Sequence, residues 1–246
     1  MMKRRPLFIG LGVMVVLVAG ALAVYFLTDI GIAPPVDTVS VRLSASLDAR
    51  SVGIVIAEEK GFFRTNRLTV SCEPGSGRID PVRSVGSGIH TFGFAGAKEI
   101  IVARSRGLPI VAVAALLQYS DEAPAIASYA QVLFTTDKMV SEFPERVKLF
   151  LHALLRGWQD VIDDPGKAIS TLVSQNKGLD QQHEIVTLRA LIPLLTADIN
   201  GRIGWMEYAP WKALYDELEA NGLLDDQFDP SEAYTTRFID EIYRRD

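Results

Sequence analysis

Hydrophobic and polar positions along the chain switch between two periods from residue 38 onwards. Apolar residues alternate with polar ones, or run together in short stretches, in a pattern that predicts strands at residues 39–43, 68–72, 91–94 and 110–115. Between these strands, apolar residues recur at helical spacing over residues 51–60 and 96–106, and Asp80-Pro81 marks the start of a short helix. Strands that alternate with helices through short connections predict an α/β fold with a mainly parallel sheet.

The second half of the chain has a different pattern. One more strand is predicted at residues 129–134, and helices are predicted at residues 144–163, from 165, and at 183–195, 210–221 and 235–244. Residues 144–163 place their apolar side chains on one stripe, so this helix should lie on the sheet with that stripe buried. The expected fold class is therefore an α/β lobe with a helical C-terminal half.

The N-terminus carries a long uncharged segment. Residues 6–27 contain no charged side chain, and Lys3, Arg4 and Arg5 precede them. A helix of this length is enough to cross a bilayer, and the preceding basic residues predict a cytoplasmic N-terminus. The segment is either an inner-membrane anchor or a signal peptide cleaved near Ala23, and both predict a periplasmic or otherwise extracytoplasmic body. The expected divisions are an N-terminal segment (1–28), a linker (29–37) and the body (38–246).

The amino-acid composition limits which partners, metals and cofactors the protein is expected to bind. The formal net charge is −5, and this acidic balance argues against nucleic-acid binding, which depends on cationic contacts to phosphates. Cys72 is the one cysteine, so an internal disulfide framework and a multi-cysteine metal site are excluded. His90, His152 and His183 are too far apart to have a metal-ligand spacing. The sequence therefore predicts neither a metal nor a cofactor.

Candidate ligand-binding residues lie where the predicted parallel strands end, because ligands of such sheets bind at the carboxyl ends of the strands. Arg50 and Arg78 either bind an anionic group together with helix N–H groups or are solvated loop residues. Trp205 is either an aromatic wall of the site or a core residue, whereas Trp211 has the helical spacing of a core residue. The residues predicted to bind the ligand are Arg50, Ser51, Ser76, Gly77, Arg78, Gly96, Gln118 and Trp205; no catalytic residue is predicted.

Six motifs follow one another along the body: GIVIAEEKGFF (53–63), VGSGIHTFG (85–93), ARSRGLPIVAVA (103–114), VLFTTD (132–137), PERV (144–147) and ALLRGW (153–158). Together they resemble the periplasmic solute-binding proteins of ABC importers for nitrate, sulfonates, taurine and thiamine pyrimidine precursors. Thr91 stands where that family usually has an acidic residue. The stretch from 103 to 114, with Gln118, resembles the thiamine-precursor branch most.

The resemblance implies a fold, a partner and a ligand class. It implies a type II periplasmic-binding-protein fold and an ABC transporter permease as partner. It also implies a small polar or anionic solute, with a thiamine pyrimidine precursor as the first candidate. Fungal enzymes related to this family have a cysteine-rich cluster and an iron-binding histidine, which lone Cys72 and the scattered histidines cannot supply. The chain is therefore not expected to be an enzyme.

One departure from the family changes the expectation for binding. In the family a second α/β lobe of about a hundred residues follows the first lobe. Here Tyr119–Ser128 join the corresponding points, and about ten residues reach at most ~36 Å. We therefore expect one lobe, made of residues 38–118 and 129–246, that binds solutes weakly or not at all as a monomer. The alternative is a vestigial or membrane-anchored structural or sensory lobe without a high-affinity ligand.

Overall fold

The computed structural model describes residues 36–75, 79–119, 128–195 and 201–244. The predicted N-terminal segment lies outside the described residues, as do Ser76, Gly77 and Arg78 of the predicted site. None of the helices within the described ranges is long and apolar enough to span a membrane. Val36–Asp246 form one compact unit.

One five-stranded sheet forms the centre of this unit. Its strands are β1 (Asp37–Arg42), β2 (Leu68–Glu73), β3 (Phe92–Ala95), β4 (Ile110–Tyr119) and β5 (Ser128–Thr136), in the spatial order β2-β1-β3-β5-β4. β1 pairs in parallel with β2 and β3, whereas β5 pairs antiparallel with both β3 and β4. The four strands predicted from the first half of the body therefore run in one direction, and β5 runs against them.

The predicted mainly parallel sheet is thus a mixed sheet, because β5 lies between β3 and β4. Tyr119 at the end of β4 pairs with Ser128 at the start of β5, so residues 120–127 connect two neighbouring strands. A connection this short suits antiparallel neighbours, since a parallel neighbour needs a crossover of a dozen or more residues. The other edge of β5 then pairs with β3, where Ala95 faces Val132.

Ten helices are found within the described residues. They are α1 (Val52–Glu59), α2 (Phe62–Thr65), α3 (Pro81–Gly86), α4 (Ala97–Ser105), α5 (Asp137–Glu142), α6 (Pro144–Asp163), α7 (Pro165–Gln175), α8 (Gln181–Leu195), α9 (Tyr208–Ala220) and α10 (Arg237–Tyr243). Short 3₁₀ turns cover Ala49–Ser51 and Pro230–Ala233. The predicted start of α3 is confirmed, because the Asp80 carboxylate accepts a hydrogen bond from the N–H of Val82 and Pro81 occupies the first turn.

Each face of the sheet has its own hydrophobic core. On one face, α1, α6 and α8 cover a cluster that contains Val39, Val41 and Leu133. On the other face, α3, α4 and α9 cover a cluster that contains Ile100 and Trp211. Trp211 is fully buried, which confirms its predicted place in the core.

The stripe predicted on α6 is buried as expected. Its Phe150 ring is stacked between Phe92, 4.4 Å away between ring centroids, and Phe63, 5.2 Å away. Farther along α6, Gly157 and Trp158 lie directly against Gly53 of α1. This contact has no room for a larger residue at either glycine, so α1 and α6 cross closely and α1 is held in a fixed position.

Candidate functional site

The carboxyl ends of β1, β2, β3 and β4 lie at the same edge of the sheet, since these four strands are parallel. We call this edge, with the residues that follow each strand there, the carboxyl edge. It comprises the turn that leads into α1, the residues around Pro74 and Gly75, Gly96 at the start of α4, and the end of β4. The Gly75 N–H donates a 2.7 Å hydrogen bond to the carbonyl of Ala45, which joins the loops after β1 and β2.

The turn before α1 is closed by its own side chains. The Ser51 hydroxyl donates to the carbonyl of Asp48 at 3.0 Å and accepts from the N–H of Asp48 at 3.1 Å. The Arg50 guanidinium forms an ion pair with the Asp48 carboxylate at 3.2 Å, and the Arg50 side chain is 56% exposed. Both predicted ligand-binding side chains are therefore at the carboxyl edge, and both are engaged within the turn.

A second element covers the same turn. The N–H of Ala49 donates a 2.8 Å hydrogen bond to Oε2 of Glu184, which lies in the first turn of α8. Both residues are buried. Glu184 carries no distinctive signal in the sequence, because an acidic residue in the first turn of a helix is favoured there by the helix dipole alone. Its contact spans 135 positions of the chain, so no local pattern could reveal it.

Gln118 and Trp205 are the two predicted site residues that the structure brings into contact. Gln118 lies near the end of β4, and its Nε2 donates a 3.0 Å hydrogen bond to the carbonyl of Trp205. Trp205 is half-buried, and the guanidinium of Arg202 lies 3.4 Å from the centroid of its indole ring. The amide of Gln118 therefore holds the Trp205 backbone beside the carboxyl edge.

Gly96 begins α4 with an extended backbone, at φ −80°, so its conformation does not require glycine. A Cβ at this position would meet Oε2 of Glu99, the far end of an exposed side chain that can move aside, and would lie at an ordinary contact distance of 3.5 Å from the carbonyl of Ala130. The absence of a side chain lets Glu99 fold back over the start of the helix. Neither the backbone conformation nor the surrounding space requires glycine at position 96, and its role in ligand binding stays a prediction.

Gln131 is a further residue at this edge that the sequence analysis missed. On one side, Gln131 pairs with Leu117 of β4. On the other side, Val132 pairs with Ala95 of β3, and continuing this antiparallel register by one position puts Gln131 across from Gly96. The side chain is 9% exposed, and its Oε1 is buried without a hydrogen-bond partner. Its signal in the sequence was a single amide inside the apolar strand from Tyr129 to Phe134.

A polar cluster lies at the ends of β1 and β2. Oε2 of Glu73 accepts from the buried Arg42 guanidinium at 3.1 Å and lies 3.0 Å from Nε2 of His90. The other ring nitrogen of His90, Nδ1, is 2.6 Å from the hydroxyl of Ser84. The group contains the residue types of a hydrolytic triad, but Ser84 is only 3% exposed, so a substrate could not reach its hydroxyl. The arrangement serves to pair buried polar groups.

Cys72 adjoins this cluster and is partly buried. Burial, and to a smaller extent the negative charge of Glu73, raises the pKa of the Cys72 thiol to about 12. A thiol with such a pKa stays protonated and is a poor nucleophile. Across the described ranges, no group of three or more His, Cys, Asp or Glu side chains is arranged to hold a metal ion.

Comparisons with known proteins give a family match over part of the chain and identify its fold. Residues 48–126 and 118–168 match the NMT1/THI5-like family, whereas no curated protein matches the chain. The fold matches the periplasmic nitrate-binding protein NrtA from Synechocystis PCC 6803, with a TM-score of 0.62, 10% identity and coverage of 87% of this chain and 90% of that chain. It also matches the alkanesulfonate-binding protein SsuA from Xanthomonas axonopodis pv. citri, with a TM-score of 0.60, 11% identity and coverage of 83% and 100%.

The same fold also occurs in an enzyme. The desulfurization enzyme DSZB matches with a TM-score of 0.56, 11% identity and coverage of 85% of this chain and 99% of that chain. Identities this low establish the fold, and activity has to be argued from the site. The resemblance read from the sequence is confirmed: the chain contains an NMT1/THI5-like region at residues 48–168 and has the fold of the periplasmic solute-binding proteins of ABC importers.

Proposed function

We propose that this chain is the extracytoplasmic solute-binding component of an ABC importer, which binds a small polar solute at the carboxyl edge and passes it to a permease. The observation that supports this most is the convergence of the Ala49–Ser51 turn, the Gln118–Trp205 contact and the buried amide of Gln131 at one edge of the sheet. Polar groups concentrated at the carboxyl ends of parallel strands are typical of ligand sites in α/β proteins. The proposed role is binding without catalysis, and it agrees with the inaccessible Ser84 and the protonated Cys72.

A thiamine pyrimidine precursor is the solute we propose first. The sequence resemblance around residues 103–118 supports it, and so does the chemistry of the edge. Amide groups such as those of Gln118 and Gln131 form hydrogen bonds with the ring nitrogens and the amino group of a pyrimidine. The indole of Trp205 offers an aromatic surface beside them.

We also propose that the body is a single lobe. The pairing of Tyr119 with Ser128 supports this, because residues 120–127 are too few to form a second lobe. A solute on an open edge keeps much of its surface in water. If half of a buried area of ~300 Å² is lost, about 4 kcal/mol is forfeited, which turns a micromolar site into a millimolar one.

Calorimetry tests the function with four solutes: 4-amino-5-hydroxymethyl-2-methylpyrimidine, riboflavin, taurine and nitrate. We expect the pyrimidine to bind the monomer with a Kd near the millimolar range. Gln118→Ala should weaken this binding about five- to tenfold, since the loss of one hydrogen bond frees the Trp205 backbone. Gln227→Ala, which changes an exposed glutamine in the loop after α9, is the matched control and should bind as the wild type does.

Two results would contradict the proposal in different ways. Low-micromolar binding by a monomer would contradict the single-lobe part. No heat with any of the four solutes at 10 mM would favour the structural or sensory lobe. Location is tested by cell fractionation, with the body expected outside the cytoplasm; N-terminal sequencing of the mature protein would distinguish an anchor over residues 6–27 from cleavage near Ala23.

A further inference from the structure

One edge of the sheet, the outer side of β2, is uncovered in the part of the chain that the structure describes. At the opposite edge, isolated bridges join β4 to Gly204 and Tyr234, whereas no described strand or bridge joins the outer side of β2. β2 pairs with β1 along its whole length without a bulge, and it contains neither proline nor lysine. Edge strands usually carry one of these features, because their free backbone groups can bind another strand. β2 is therefore open to pairing.

Two hydrogen bonds show which backbone groups of β2 point outward. The carbonyl of Arg67 accepts from the N–H of Asp37, and the carbonyl of Glu73 accepts from the N–H of Leu43, so both carbonyls face β1. Backbone groups alternate in direction along a strand, so every second residue from Arg67 to Glu73 faces β1. The N–H and C=O groups that point away from the sheet are those of Leu68, Val70 and Cys72.

The side chains of β2 suit pairing with an identical strand. Thr69 and Ser71 are exposed on one face of the sheet, whereas Val70 and Cys72 are half-buried on the face that adjoins the core under α1 and α6. Cross-strand pairs of hydroxyl residues and of β-branched residues both stabilise a sheet. A second copy of β2 would therefore meet a matching kind of side chain on each face.

The two ends of β2 carry opposite charges and limit the register. Exposed Arg67 precedes the strand and Glu73, with a side chain 56% exposed, ends it, so antiparallel pairing brings a basic end against an acidic end twice. A register centred on Val70 uses every outward-facing residue of both copies and forms about six backbone hydrogen bonds. A shift of two residues one way needs an N–H from Pro74, which has none. A shift the other way needs Asn66, whose ψ of 12° is not extended.

We propose that β2 is a homodimerisation strand. Two copies pair antiparallel through it about a two-fold axis at Val70, and their five-stranded sheets become one continuous sheet. Thr69 of each copy then lies opposite Ser71 of the other, and Val70 lies beside its counterpart. The pairing uses none of the residues of the proposed solute site, so it does not rest on the proposed function.

The first test sets charges against each other across the seam in the full chain. Thr69→Lys/Ser71→Lys puts lysine opposite lysine, and Thr69→Glu/Ser71→Glu puts glutamate opposite glutamate. Each variant alone should dimerise at least about tenfold more weakly than the wild type, since like charges directly opposite repel, and an equimolar mixture should restore dimers. Ser170→Lys/Ser174→Lys, which changes two exposed serines of α7, is the matched control and should dimerise as the wild type does.

Analytical ultracentrifugation over a range of concentrations measures the dimer, and circular dichroism checks that each variant is folded. The seam is short, and interfaces that bury less than about 1,200 Å² are weak or transient, so we expect reversible dimers that grow with concentration. The changed side chains at positions 69 and 71 are exposed, so the variants should keep the fold.

The second test checks the register with a disulfide. Val70→Cys is made together with Cys72→Ala, so that the introduced thiol is the one thiol of each chain. Facing residues of a hydrogen-bonded antiparallel pair have Cα atoms about 5.5 Å apart, which a disulfide can span. With oxidised glutathione, we expect a covalent dimer to form at least about tenfold faster than from Ser174→Cys/Cys72→Ala, whose new thiol lies on exposed α7.

The outcomes separate this inference from the proposed function. A wild type that stays monomeric at about 1 mM, where even a contact worth about 4 kcal/mol would half-dimerise, would overturn the proposal. Equal dimerisation of the wild type and both charged variants would place the dimer on another surface and would also overturn it, as would equal rates of disulfide formation. A monomer that binds the pyrimidine would contradict only the pairing, and a β2 dimer that binds no solute would contradict only the proposed function.

Discussion

The close crossing of α1 and α6 predicts a large effect from one methyl group. A Cβ on Gly157 would lie 2.8 Å from Cβ of Ala57 and 2.9 Å from its backbone nitrogen, and closer still to the carbonyl oxygen of Gly53. Carbon atoms normally contact heavy atoms at about 3.5–4.0 Å. Gly157→Ala therefore requires the two helices to separate by about 1 Å, because two of the three obstacles are backbone atoms that cannot rotate away.

The net effect is a difference between two terms. Overpacking a buried contact costs about 1–3 kcal/mol, and backbone obstacles place this case at the upper end. Alanine in place of glycine in a helix returns about 1 kcal/mol. We expect a loss of about 2 kcal/mol in the free energy of unfolding, which lowers the melting temperature of a domain of this size by about 4–8 °C.

Gly166→Ala is the matched control, since it makes the same change in another helix. A Cβ on Gly166 has its nearest neighbour at 3.7 Å, an oxygen of Asp164, so Gly166→Ala should not lower the stability. Urea and thermal unfolding followed by circular dichroism measure both variants. Equal stability of Gly157→Ala and Gly166→Ala would refute the close crossing. Because α1 begins directly after the turn that contacts Glu184, Gly157→Ala should also weaken solute binding.

Three further predictions concern the core and the polar cluster. Phe150→Ala should lower the free energy of unfolding by about 3–5 kcal/mol in urea denaturation, since its ring is fully buried between two others; a loss below 1 kcal/mol would contradict the stack. The Cys72 thiol has an ordinary pKa of 9.0 in the unfolded chain and a pKa raised by burial to about 12 in the folded protein, so at pH 8 it should react with a disulfide reagent far more slowly when folded than when unfolded. Its contribution to stability, measured against Cys72→Ala, is full below pH 9 and is lost as the pH rises towards 12. Glu73→Gln should cost at most about 1 kcal/mol, because the hydrogen bond from the buried Arg42 guanidinium to a half-exposed carboxylate becomes one to a neutral amide oxygen, and unchanged stability would show that solvent screens this pair.

The parts of the fold that depend on local patterns could be predicted from the sequence. The apolar stripe of α6 shows directly which face of the helix is buried. Asp80-Pro81 predicts the start of a helix because the Asp80 carboxylate binds an N–H only two residues further along the chain. Trp211 could be assigned to the core because its neighbours at helical spacing are also apolar. Each of these predictions depends only on the residues of a single helix and on which of its faces is exposed to solvent.

The contacts that complete the site could not be predicted in this way. Glu184 and Ala49 meet across the fold, and so do Gln118 and Trp205, which are 87 positions apart. Glu184 is explained locally as an acidic residue in the first turn of a helix, and Gln118 as a polar residue near the end of a strand. No pattern in the sequence therefore favours either pairing. The position of β5 was missed in part for the same reason, since the sequence predicts a strand without specifying which edge of β3 it joins.

The place of β5 in the sheet has a consequence for the order in which the protein can be completed during synthesis. Among the residues that the structure describes, β4 has a ladder with β5 and with no other strand of the sheet, and isolated bridges join β4 to Gly204 and Tyr234. A nascent chain that has emerged from the ribosome as far as residue 119 therefore exposes an apolar strand whose strand partner has not yet emerged, while the edge of β3 is also uncovered. Until residues 128–136 have left the ribosome, these two edges are open to pairing with other chains. A nascent chain whose emerged part ends between residues 119 and 128 should be the form of this protein that most needs a chaperone.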